Sequence, residues 1–203
     1  MRALAVAVLV LVAVILAALA VILFLVLATP GGAFEAREGR AIALDTIYGS
    51  FAQDSIKSVE DAVDMEQLSQ ISGELQGGPP RIVLCVGHDV AAAVKAASTS
   101  FSTAEQPVPG VTTAPSDTLW LAAYLGSDGS MPPAYQVRAV ELVGKTLRVA
   151  YQRDESPTRS CDLRDYLIWA PVGRVEAGVY RLELFDVVAK TVTVSSSWQV
   201  RVK

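Results

Sequence analysis

Few residues in this chain of 203 are of a type that does chemistry, and they are thinly spread. His88 is the only histidine, and Cys85 and Cys161 are the only cysteines. His88 stands in Gly87-His88-Asp89, directly after the apolar stretch Ile82-Val83-Leu84-Cys85-Val86. A short continuous apolar run of that kind reads as a buried strand, and sites in α/β folds form at the carboxyl ends of such strands. An imidazole there acts as a base or a ligand, and an adjacent carboxylate orients it. His88 with Asp89 is therefore the candidate for a hydrolase. The plainer reading makes His88 a turn residue and Asp89 the cap of a helix over Val90 to Ala97.

The other chemistries find less support. A zinc or copper site wants several histidines or a cysteine cluster, so neither a metal nor a cofactor is expected. Cys85 and Cys161 admit a disulfide if the domain is exported, and a bridge would close a long loop. Against that, Cys85 lies in an apolar strand, where a free thiol behaves as a small hydrophobe. No G-x-S-x-G elbow, P-loop or G-x-G-x-x-G occurs. Glu176 and Asp186 flank a strand and read as solvated turn residues. Trp120, Trp169 and Trp198 fall in apolar or alternating segments and read as core, not as a ligand platform.

The elements that must carry these residues start with an apolar run. Ala3 through Ala28 contains no polar or charged residue. As a helix its 26 residues would reach about 39 Å, enough to cross a hydrocarbon core of roughly 30 Å. Signal-peptide cores are shorter, and Pro30 is an awkward neighbour for a cleavage site. Residues 1–28 are thus expected to be an uncleaved signal-anchor. The flanking charges, Arg2 on one side and Arg37 and Arg40 among Glu35 and Glu38 on the other, nearly balance. The expected orientation puts the short tail inside and the soluble domain outside the cytoplasm. The chain has 17 basic and 21 acidic side chains, a net charge of −4, and no run of three cations. That argues against a nucleic-acid partner.

After a spacer at 29–40, residues 41–98 read as a small α/β portion. It comprises a strand over Ala41 to Tyr48, a helix capped at Ser58 in Ser58-Val59-Glu60-Asp61, and the strand and helix around His88. Residues 99–117, rich in Ser, Thr and Pro, read as a linker or loop. From 118 to 203 the pattern is β, with six strands counted from Leu119. Tyr135 to Val143 and Thr146 to Gln152 form a hairpin about Gly144-Lys145, a type II′ signal. Setting Val143 against Thr146 places Leu142 on Leu147, Val140 on Val149 and Glu141 on Arg148. Farther out Arg138 would meet Tyr151, and one extra residue near Arg138-Ala139 moves Val137 there instead. A β-bulge is expected at that point.

Val175-Glu176-Ala177-Gly178-Val179-Tyr180 resembles the tyrosine corner of Greek-key sandwiches such as the immunoglobulin and fibronectin type III folds. The resemblance covers six residues. It implies a Tyr180 hydroxyl bonded back to the upstream backbone, and an immunoglobulin-like sandwich over 118–203. It carries no function. The Cys…Trp…Cys core of antibody-type domains is not present.

The expected whole is an α+β soluble part on one transmembrane helix. The expected function is a non-enzymatic, single-pass membrane protein that presents a β-sandwich binding or assembly module. Its partners would be the bilayer, through residues 3–28, and other proteins. The alternatives are a membrane-tethered hydrolase using His88 and Asp89, and a sensor with an apolar pocket.

Overall fold

A computed structural model describes residues 39–104, 109–155 and 160–203. The expected anchor at 3–28 lies outside the described residues. Among those described, no helix is long and apolar enough to cross a membrane.

The fold is mostly β, in two sheets, an arrangement compatible with a β-sandwich. The strands are β1 (Gly39–Ile42), β2 (Tyr48–Gly49), β3 (Lys57–Ser58), β4 (Arg81–Gly87), β5 (Gly110–Thr113) and β6 (Thr118–Gly129). They continue as β7 (Tyr135–Val143), β8 (Thr146–Arg153), β9 (Leu163–Gly173), β10 (Gly178–Asp186) and β11 (Thr191–Val202). Two helices, α1 (Met65–Leu75) and α2 (Val90–Thr103), flank β4 in sequence. The six-stranded sheet runs β1-β7-β8-β10-β11-β5 and the five-stranded sheet runs β3-β2-β9-β6-β4.

Hydrophobic patterning decides which faces are dry. Tyr180, Leu182 and Leu184 of β10 are buried, as are Leu147, Val149 and Tyr151 of β8. Their neighbours Arg181 and Arg148 turn to the opposite, wet face. The five-stranded sheet has no such alternation. Val83, Leu84, Leu121, Ala122, Ala123, Ile168, Trp169 and Ala170 are all fully buried, so both of its faces are covered. On one side Tyr166 of β9 meets Tyr135 of β7, with ring centroids 4.9 Å apart. On the other lies α2. A Cβ placed on Gly87 would sit 2.5 Å from the backbone nitrogen of Ala93, so only glycine lets α2 approach β4 this closely.

The β7–β8 hairpin follows its expected register. Val143 pairs with Thr146, Glu141 with Arg148 and Val137 with Tyr151, and the shift falls between Val137 and Ala139. Gly144 has φ 58°, as the first position of the turn requires. The tyrosine corner forms as well: the Tyr180 hydroxyl donates to the Glu176 carbonyl at 2.9 Å.

Other local expectations are corrected. The strand expected over 41–48 breaks after Ile42 into a single 3-10 turn at Leu44–Thr46, where the Thr46 hydroxyl donates to the Ala43 carbonyl at 2.6 Å. No helix starts at Ser58. The Val59 amide donates to Gly49 and its side chain is fully buried, so ladder and core outweigh the local cap. The helix instead starts after Asp64, whose carboxylate accepts from the Glu66 amide at 3.0 Å. In the stretch read as a linker, α2 persists to Thr103 and Gly110–Thr113 pairs in parallel with β11. β6 runs on through Gly126, at φ 136°, to Gly129, and β9 runs on through Pro171. Register shifts beside both positions absorb the irregularity. Residues from 41–98 and from 118–203 also share both sheets: β1 pairs with β7, β2 with β9 and β4 with β6.

Candidate functional site

His88 and Asp89 sit where β4 gives way to α2. The close approach at Gly87 ends the strand, and Asp89 takes an extended conformation with φ −143° as the helix cap. Its Oδ1 accepts from the Ala92 amide at 2.8 Å, and its Oδ2 lies 3.2 Å from His88 Nε2. The carboxylate thus caps the helix and orients the imidazole at once. The His88 side chain is 74% exposed, and among the described residues Asp89 is its only polar neighbour. Chemically this is a solvated acid–base pair. A hydrolase would also need a hydroxyl or thiol within hydrogen-bond reach of the imidazole.

Cys85, two residues upstream, is not that nucleophile. Its side chain is buried, its Sγ rests 3.8 Å from the Trp120 carbonyl, and burial pushes its thiol far above the ordinary value. Such a thiol stays protonated and unreactive. Cys161 is exposed, and both cysteines are free. The pairings explain why no bridge forms. Cys85 lies opposite Trp120, whereas Leu163, two residues after Cys161, lies opposite Gly129. Nine residues of strand β6 separate those two levels, about 30 Å, against the roughly 7 Å limit for bridged Cα atoms. Among the described residues no three His, Cys, Asp or Glu side chains gather as metal ligands.

The tryptophans are core. Trp169 and Trp198 are buried, and Trp120 donates from Nε1 to the Gly87 carbonyl at 3.1 Å, which helps fix the end of β4. Glu176 supplies the carbonyl of the tyrosine corner. Asp186 accepts from the amides of Val188 and Ala189, closing the β10–β11 turn.

Two polar clusters were not evident from sequence. At the β6 bulge the Tyr124 hydroxyl and Ser127 Oγ lie 2.6 Å apart, and Ser127 donates a short bond to Asp165. Burial raises the Tyr124 hydroxyl, with Asp165 adding to the shift and Ser127 opposing it. The Gly77 amide reaches Ser127 at 3.4 Å, so this cluster ties the end of α1 to the sheet.

The second cluster lies on the wet face of the six-stranded sheet. Glu183 is buried there, at 6% side-chain exposure, between two arginines. Arg148 reaches its Oε2 through Nε at 3.0 Å and Nη2 at 2.7 Å, while Arg181 Nε meets its Oε1 at 2.9 Å. Arg148 also lies 3.9 Å from Glu141 and stands over the Phe185 ring at 5.2 Å. The Glu141–Arg148 pair follows from the hairpin register. The Arg148–Glu183 contact needs the parallel pairing of β8 with β10, in which the two lie opposite each other, whereas Arg181 and Glu183 share a face of one strand.

Comparison with protein-family models, with curated proteins and with solved structures finds no match.

Proposed function

We propose that this chain is a single-pass membrane protein that holds its β unit outside the cytoplasm as a non-catalytic binding or assembly module. The observation that carries the reading is the uncharged apolar run Ala3 through Ala28, long enough to span a bilayer as a helix. Among the described residues the first strand begins at Gly39, eleven residues after Ala28. The tyrosine corner supports the finer fold reading, an immunoglobulin-like Greek-key sandwich, because that bond recurs at the corners of such domains. The departures from it include the parallel β8–β10 and β5–β11 pairs of the larger sheet and the helices over the smaller one.

A binding module needs a solvent-facing surface and a stable body. The wet face of the six-stranded sheet offers the first, and the doubly covered sheet supplies the second. The exposed Cys161 and buried Cys85 make a built-in topology reporter. Intact cells expressing the full chain are treated with a membrane-impermeant maleimide. Labelling of Cys161 without permeabilisation is expected, and none is expected after Cys161→Ser. Labelling only after permeabilisation would place the domain in the cytoplasm and overturn the orientation.

A further inference from the structure

The wet face of the six-stranded sheet carries a row of charges that alternates in sign across the strands. Glu141 stands on β7, Arg148 on β8 and Glu183 on β10, and the Arg181 guanidinium leans toward Ser195 of β11. A row of four alternating charges is complementary to itself. Turned about an axis along the strands, between β8 and β10, it lays Glu141 over the second copy's Arg181 and Arg148 over the second copy's Glu183. The two ends of the row, Glu141 and Arg181, then meet their opposites, while each Glu183 stays held by its own arginines. Rotation about the other in-plane axis would set like on like, so the row also selects an orientation.

Two further features fit a second copy. Several side chains beside the row are short, with Ala139 paired to Ala150, Ser195 facing Glu183 and Ser197 facing Arg181, and the Phe185 ring lies beneath the Arg148 guanidinium. A second sheet can approach such a face to the roughly 10 Å of stacked sheets. The row is also neutral as a whole in a chain of net charge −4. Copies that repel one another generally meet without repulsion there.

We propose that this face is the contact between two copies of this chain. The inference rests on the assembly reading above and names its partner. Four strands about 4.8 Å apart and about 27 Å long offer about 500 Å², less than the ~800 Å² per partner of a standard interface. The association is therefore weak in dilute solution, and confinement of both copies to one membrane raises their effective concentration.

The test uses the full chain in native membranes, as two differently tagged copies cross-linked with formaldehyde and captured through one tag. Glu141→Arg alone and Arg181→Glu alone are each expected to cut cross-tag capture at least tenfold. Mixing the two variants, which restores opposite charges at both ends of the row, is expected to bring capture back to within about twofold of the parent. Ser195→Trp, which keeps all four charges and blocks close approach, is expected to lose capture too, so the test survives if a charge reversal prevents folding. Absence of cross-tag capture by the parent, or single reversals without effect, or a mixture as poor as either variant alone, overturns the proposal. An alkaline wash of the same membranes separates the two readings. A chain that washes off defeats the anchored module, and a chain that stays but shows no cross-tag capture defeats the dimer alone.

Discussion

The two sheets solve the same burial problem in opposite ways. The five-stranded sheet is dry on both faces, between the helices and its partner sheet, and its strands are nearly continuous apolar runs. The six-stranded sheet is dry on one face only, and its strands alternate. One consequence is energetic: the stability of the unit concentrates where both faces are covered. The other is functional. A sheet with no free face supplies rigidity, while the sheet with a wet face displays side chains to solvent, where the proposed contact falls. The charged groups follow this division, since the Glu141, Arg148, Glu183 and Arg181 network lies on the wet face.

This contrast breaks first at Trp169, which is fully buried in the doubly covered sheet. Trp169→Ala is expected to cost about 3–5 kcal/mol in urea unfolding, whereas Phe185→Ala on the wet face should cost less than about 1.5 kcal/mol. Equal losses would mean that the two sheets do not differ as described. Gly87→Ala comes next. Its new methyl meets the backbone of α2 at 2.5 Å, so the helix must shift, at about 1–3 kcal/mol by thermal or chemical unfolding. Tyr180→Phe removes the corner bond to Glu176 and leaves the ring, for about 1 kcal/mol.

Smaller effects sharpen the contrast. A thiol reagent under native conditions is expected to modify Cys161 and spare Cys85, with both reacting after denaturation. Native modification of Cys85 would show that the doubly covered sheet opens readily. His88→Ala, at an exposed side chain, should change stability by less than about 0.5 kcal/mol and leave self-association intact. A large loss of stability would give His88 a structural role that its exposure does not suggest.

The same division explains how much could be read from sequence. In the alternating sheet one face must be dry, so register is pinned, and the β7–β8 pairing with its bulge at Arg138 followed from the residues alone. In the doubly covered sheet the central stretches, residues 82–86, 119–125 and 166–170, are apolar at every position, so no alternation there marks a slip. Even Gly126 and Pro171 do not end their strands, since β6 and β9 continue past them through register shifts. Ser58 shows a local signal losing to a distant one, because Val59 is held by the Gly49 carbonyl and by the core. At the candidate site, the capping role of Asp89 was local and legible. The Arg148–Glu183 link was not, because it depends on β8 and β10 running in parallel with β9 between them in sequence but in the other sheet.

The claim on which the functional reading stands is that residues 3–28 keep the β unit attached to a bilayer. The most direct measurement is alkaline carbonate extraction of membranes that contain the full chain, with a version lacking residues 1–28 in parallel. The account predicts that the full chain stays in the pellet until detergent is added, and that the shortened chain appears in the aqueous supernatant. Full-length chain in the detergent-free supernatant would contradict it.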